Sequence, residues 1–226
     1  CTFNDIVDTD IDMKVARTRS RPIPSGQVTK RQAATFLVVQ GLVGFLVLIQ
    51  FNWFTIGLGA ASLVLVAIYP FMKRITWWPQ LFLGLAFNWG ALVGWSSQAG
   101  SLDVAPLVLY VGAILWTIGY DTIYALQDVE DDALIGVKST ARLFGRRARM
   151  IIGIFYAATT VTWGVAAALV GAGALFYVGL LAVAAMFGWQ VWSLDPRDTK
   201  SALTRFRSNH WVGFVLTLAL IAEWLW

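Results

Sequence analysis

Long apolar runs separated by short polar stretches predict seven helices, at positions 32–50, 53–72, 77–98, 104–126, 150–170, 172–193 and 210–226. Each is close to the roughly 20 apolar residues that a helix needs to cross a bilayer. The third and fourth runs contain polar residues, among them Asn88 and Asp121, and none is interrupted by a proline at its middle. A soluble helical core can hide one or two such runs, but not seven. The pattern predicts an all-α, polytopic transmembrane bundle, read as one domain over residues 1–226. Thr29 and Gln32 have the spacing of a capping box at the start of the first run.

The polar stretches then set the topology. Six bases (Lys14, Arg17, Arg19, Arg21, Lys30 and Arg31) precede the first run, and Lys73 and Arg74 lie between the second and third. Lys138, Arg142, Arg146, Arg147 and Arg149 lie between the fourth and fifth, and Arg197, Lys200, Arg205 and Arg207 between the sixth and seventh. All 17 Lys and Arg therefore fall on one side, which the positive-inside rule makes the cytoplasmic side or its organelle equivalent. Most of the acids share that side. Asp103 and Glu223 lie opposite, and Asp121 lies within a run.

Composition agrees. The chain is 58% hydrophobic and 13% charged, against about 25% charged residues in a typical soluble domain. Topology and lipid headgroups account for the net charge of +4, so no nucleic-acid partner is expected. Cys1 is the only cysteine and has no partner within the chain. The first residue is not Met and no secretory signal is visible, which suggests an incomplete N-terminus.

Two acidic clusters carry the candidate chemistry. On a helix, Asp5, Asp8 and Asp12 share one face at i, i+3 and i+7, while Asp10 points away into solvent. Asp121, Tyr124, Asp128 and Asp132 share a face in the second cluster. Neighbouring carboxylates repel one another and ionisable groups within a span are costly, so both clusters call for a cation. Magnesium favours a few carboxylate oxygens completed by water and substrate phosphate. Arg17, Arg21, Lys73, Arg74 and Lys138 lie near enough in sequence to bind the remaining phosphate oxygens. The plainer reading of either cluster alone is a set of solvated acids at a helix end.

At this point the residues resemble a known family. Asn4-Asp5-x-x-Asp8-x-x-x-Asp12, followed by Arg17-Thr-Arg-Ser-Arg21-Pro-Ile-Pro-Ser-Gly26, resembles the first signature of the UbiA superfamily of membrane prenyltransferases. Two further stretches, Tyr69 to Gly84 and Asp121 to Ala141, are similar to the 4-hydroxybenzoate polyprenyltransferase branch. The resemblance implies a nine-helix bundle, of which the seven runs would be the third to ninth helices. It implies transfer of a polyprenyl group from polyprenyl diphosphate to the 4-hydroxybenzoate ring carbon ortho to the hydroxyl, with loss of diphosphate, in ubiquinone biosynthesis. Mg2+ would be the cofactor, held by Asn4, Asp5, Asp8, Asp12, Asp128, Asp131 and Asp132. The catalytic residues implied are Asp5, Asp8, Asp128, Asp132 and Arg74. Arg17, Arg21, Tyr69, Lys73, Arg74, Tyr124 and Lys138 would bind substrate, with Lys73 and Arg74 on either the diphosphate or the benzoate carboxylate. The location implied is a bacterial inner membrane, or alternatively the mitochondrial inner membrane, with the site on the cytoplasmic or matrix side.

Other features have structural explanations. Trp77-Trp78 reads as an interfacial aromatic belt rather than a cation cage. A single His, His210, argues against a zinc-type site. Asn88 is either interhelical glue or a pocket residue. The rivals are a family member with another acceptor, such as a naphthoate, a chlorophyll precursor or haem, and a transporter with acids on an ion pathway. Transporter sites lie near the membrane midplane, whereas these acids gather at one interface.

Overall fold

A computed structural model describes residues 2–15 and 17–225, so Cys1 and the last residue of the seventh run lie outside the described residues. The fold is all-α, with no strand among the described residues. Two short helices, α1 (Thr2–Val7) and α2 (Thr9–Asp12), carry the first acidic cluster. They are followed by α3 (Lys30–Leu48), α4 (Trp53–Ile75), α5 (Pro79–Phe87), α6 (Gly90–Ala99) and α7 (Val104–Ala125). A 3-10 turn at Leu126–Asp128 leads into α8 (Val129–Ile135), and α9 (Thr140–Phe144) follows. The chain ends in α10 (Ala148–Leu169), α11 (Ala174–Ser193) and α12 (Thr199–Leu225).

Five helical stretches are long and apolar enough to cross a membrane: Lys30–Leu48, Trp53–Ile75, Val104–Ile135, Thr140–Leu169 and Ala174–Ser193. The seventh expected run is the C-terminal part of α12, whose N-terminal part is polar. The third differs from expectation, because it is two half-length helices that meet at Asn88 and Trp89. Asn88 at the junction ties the broken helix to α7. Its Nδ2 donates to Gly84 O at 2.9 Å, Ala113 O at 3.2 Å and Thr117 Oγ1 at 2.7 Å. Asn88 is therefore a link between helices, and both hydrogens of its amide nitrogen are engaged.

The core forms around α7. Gly112 and Gly119 face α10 so closely that a Cβ on Gly119 would lie 2.5 Å from Tyr156 Cε1, and one on Gly112 would lie 2.6 Å from Trp163 Cδ1. Small residues permit this approach in a bilayer, where helices associate by packing rather than by the hydrophobic effect. Tyr156, Trp163, Phe187 and Val183 fill the space between α10 and α11, and Tyr156 donates to Gln190 Oε1 at 2.8 Å. A second cluster of Leu92, Tyr110, Ile114 and Ile118 joins α6 to α7.

The outer surface is apolar. Phe36, Leu42 and Phe45 on α3 are all more than half exposed, as suits contact with lipid. The expected capping box is present: Gln32 N donates to Thr29 Oγ1 at 3.2 Å, and Thr29 N to Gln32 Oε1 at 2.9 Å. The two tryptophans part company. Trp77 is exposed beneath the Arg142 guanidinium at 5.2 Å, while Trp78 packs edge-on against Phe144 and Phe155 in the core. The belt reading therefore fails for Trp78, because the α4–α5 connection turns that ring inward.

Candidate active site

The ends of α4 and α7, with α1 and the α8–α9 connection, enclose a cavity of about 150 Å3. Asn4, Tyr69, Lys73, Gln80, Asp121, Tyr124, Asp128, Asp132, Lys138 and Ser139 line it. The stripe expected from the second cluster is present: all four of its members face the cavity, although the 3-10 turn interrupts the helix between them.

The first cluster departs from expectation. Asp8, at φ −94° and ψ 4°, separates α1 from α2, although Asp8 N donates to Asn4 O and Asp12 N to Asp8 O, and the acids differ in their partners. Arg21 Nη1 bridges Asp5 Oδ1 at 3.1 Å and Asp12 Oδ2 at 3.0 Å. Asp8 turns instead towards α4, where Lys73 Nζ lies 2.6 Å from Oδ2 and Arg74 Nη2 lies 3.3 Å from Oδ1. Asp10 is exposed, as its position on the helix predicted.

Arg17 joins the two clusters. Its Nε donates to Asp128 Oδ1 at 2.8 Å and its Nη2 to Oδ2 at 2.5 Å, a two-pronged pair. Its Nη1 reaches the Tyr124 hydroxyl at 2.5 Å, and the guanidinium lies 4.7 Å from the centre of the Tyr124 ring. The hydrogen bond to Asp128 raises the Arg17 pKa above its already high value, against desolvation. Burial pushes the Asp12 carboxyl above the usual carboxylate range, against the pull of Arg21 and Lys73.

Backbone contacts tie the parts together. Lys138 N donates to Lys73 O at 2.9 Å, and Lys138 Nζ to Ile75 O at 2.9 Å. Arg142 Nη1 holds the carbonyls of Asp132 and Val137, the first at 3.3 Å. The end of α4 thus anchors the second-cluster loop and also pairs with the first cluster. Asp131 is only half-buried, does not line the cavity and makes no ion pair among the described residues.

Asp121, Gln80 and Ser139 line the cavity but were not assigned roles from the sequence. Asp121 lies about one turn deeper than Tyr124 and makes no ion pair among the described residues. The stripe in the second cluster already marked it. Gln80 is buried at the start of α5 and accepts from Thr140 N at 3.1 Å. Its only signal was a polar residue just after Pro79 in an apolar run.

The donors fit a hard cation only in part. They are carboxylate and amide oxygens, and buried Asp8 Oδ2 has no aligned hydrogen bond despite the nearby Lys73 ammonium. Yet no three acids converge closely enough to hold an ion by themselves, among the described residues. The set therefore suits a metal whose remaining ligands come from phosphate oxygens, which is the usual manner of Mg2+.

Comparison with known proteins places this arrangement. A mitochondrial 4-hydroxybenzoate polyprenyltransferase of Drosophila pseudoobscura pseudoobscura is 47% identical over 222 residues, covering 98% of this chain and 56% of the relative. A 4-hydroxybenzoate octaprenyltransferase of Pseudomonas savastanoi pv. phaseolicola is 44% identical over 225 residues, covering 99% of this chain and 76% of the relative. The chain thus spans about half the length of the insect relatives it matches. Among solved structures, a UbiA homolog from Aeropyrum pernix K1 superposes with a TM-score of 0.85 at 25% identity, covering 98% of this chain and 83% of the other. The structure of a UbiA homolog from Archaeoglobus fulgidus bound to GPP and Mg2+ shares the fold, with a TM-score of 0.71 at 18% identity over 99% of this chain and 81% of the other. The model of the UbiA prenyltransferase family matches residues 1–219, and with these identities the chain belongs to that family.

Proposed function

We propose that this integral membrane protein transfers a polyprenyl group from polyprenyl diphosphate to the 4-hydroxybenzoate ring carbon ortho to the hydroxyl, releasing diphosphate, in ubiquinone biosynthesis. One observation carries the reading: acids of the second cluster, with Asn4 of the first, share a single cavity with Lys73 and Lys138 at one end of an apolar bundle. The names of the insect and bacterial relatives supply the acceptor. The chain acts as one domain, in a bacterial inner membrane or a mitochondrial one, with the cavity on the side that the bases mark.

Asn4, Asp128 and Asp132, which line the cavity, would hold Mg2+, with Asp5, Asp8 and Asp12 joining only on leaving their ion pairs and Asp131 in support from outside the cavity. When bound, Mg2+ neutralises the leaving diphosphate as a Lewis acid. Arg17, Arg21, Lys73, Arg74 and Lys138 bind the phosphate oxygens or the benzoate carboxylate. The allylic C–O bond breaks with its electron pair passing to diphosphate, and the ring carbon attacks the cation so formed. Tyr69 and Tyr124 border the cavity; Phe206 at 4.4 Å and the Arg17 guanidinium at 4.7 Å pack on the Tyr124 ring, so that ring serves the cation once Arg17 moves off it. The helical bundle around the cavity would shield that cation from water, which would otherwise capture it. Asp121 lines the cavity about one turn further into α7 than Tyr124 and makes no ion pair among the described residues, and it takes the ring proton whose loss restores aromaticity.

The test is an assay of membranes containing the full-length protein, with radiolabelled 4-hydroxybenzoate, polyprenyl diphosphate, and Mg2+ present or withheld. Lipid-soluble product that requires Mg2+ and falls by about 100-fold or more in Asp128→Ala is the expected result. Folded protein that makes no product with any aromatic acceptor would sink this reading and favour an ion pathway.

A further inference from the structure

Four acids and four bases cancel one another around the cavity. Asp128 pairs with Arg17, Asp5 and Asp12 with Arg21, and Asp8 with both Lys73 and Arg74. Four negative charges and four positive ones sum to zero. Arg17 occupies both oxygens of Asp128 and also holds the Tyr124 hydroxyl, and Tyr124 and Asp128 both line the cavity. Asp121 and Asp132 face the cavity without an ion pair among the described residues. Two carboxylates alone do not complete the six oxygens of Mg2+, and no three acids converge among the described residues.

A divalent cation that takes Asp128 must first displace the Arg17 guanidinium, whose other contact there is the Tyr124 hydroxyl and ring. Diphosphate changes the balance, because its oxygens match the guanidinium fork as well as a carboxylate does. Arg17 is free to make the exchange. It stands in the segment between α2 and α3, its side chain is 34% exposed, and moving it disturbs no core packing.

We propose that Arg17 is an exchangeable counter-ion, which holds Asp128 until diphosphate arrives and then passes to the phosphate oxygens, releasing Asp128 to the metal. Metal and diphosphate then load as a coupled pair, each tightening the other by the same factor. The exchange rests on the metal–diphosphate reading above, but it asserts more: that Arg17 opposes metal binding while diphosphate is absent.

Mn2+ binding to the full-length protein in lipid nanodiscs tests the exchange, with free ion read by electron paramagnetic resonance and inorganic pyrophosphate present or absent. In the native protein, pyrophosphate should tighten Mn2+ binding by about tenfold or more. In Arg17→Gln, Mn2+ alone should bind about fivefold more tightly than in the native protein, and the pyrophosphate enhancement should shrink. Arg17→Lys keeps the charge without the fork and should fall between the two, which separates the effect from misfolding. Mn2+ alone binding to Arg17→Gln no more tightly than to the native protein would overturn the exchange, since a residue that only binds diphosphate predicts that result. No Mn2+ binding with or without pyrophosphate would overturn the metal reading as well.

Discussion

At the scale of single residues, Asp8 is the most constrained acid in the site. It is fully buried, and its carboxylate depends on two cations on one helix end, of which Lys73 is much the nearer. Taking away one partner of a buried pair leaves a charge with neither water nor counter-ion, which costs more than the pair contributes. Lys73→Met is therefore expected to destabilise the protein by about 1–3 kcal/mol, with Arg74 compensating in part. Arg74→Met should cost less. The Asp8→Asn/Lys73→Met double variant should recover part of the loss, because the uncompensated charge is then gone. Thermal unfolding of the native protein, Asp8→Asn, Lys73→Met and the double variant in one detergent closes the cycle, and additive losses would show that the two residues do not interact. Asn88 is constrained in another way: three acceptors surround its Nδ2, so it links helices at a break and does not line the cavity.

At the scale of elements, α7 is the axis of the molecule. Its N-terminal part packs on α5 and α6, its glycines admit α10, and its C-terminal end carries Asp121 and Tyr124 into the cavity. Tyr156 cannot yield to a side chain at Gly119, because it is stacked on Phe187 at 4.2 Å and hydrogen-bonded to Gln190. Gly119→Ala is thus an overpacking substitution, expected to cost about 1–3 kcal/mol of stability. Gly57→Ala is the control, since a Cβ there meets nothing within 4 Å. Equal melting temperatures for the two variants would show that the α7–α10 contact is looser than described here. The end of α4 matters for a different reason. It pairs with the first acid cluster through side chains and with the second-cluster loop through backbone, so both halves of the site share one support.

At the scale of the whole molecule, the charge distribution predicts which residues face which compartment. With Cys1 replaced by Ser, a thiol at Ser101→Cys should react with a membrane-impermeant reagent from one side only. A thiol at Lys200→Cys should react only from the other. Labelling of both from the same side would overturn the topology, and the shared face of the two acid clusters with it.

Much of this was legible in the sequence. The apolar runs determined an all-α membrane fold, because a bilayer demands length and hydrophobicity that the chain displays openly. The one-sided bases and the spacing of Asp121, Tyr124, Asp128 and Asp132 likewise determined which end gathers the charged residues and which of the second cluster share a face, since both are local properties. Tertiary structure alone decided the partners. That Arg17 crosses to Asp128, 111 positions away, that Asp8 turns to Lys73, and that Trp78 packs inward depend on how helices meet. The break at Asn88 is of the same kind, because the carbonyl and hydroxyl on α7 that hold its amide come near only in the folded bundle. Periodicity records which side of a helix a residue occupies, but not what another helix will place opposite it.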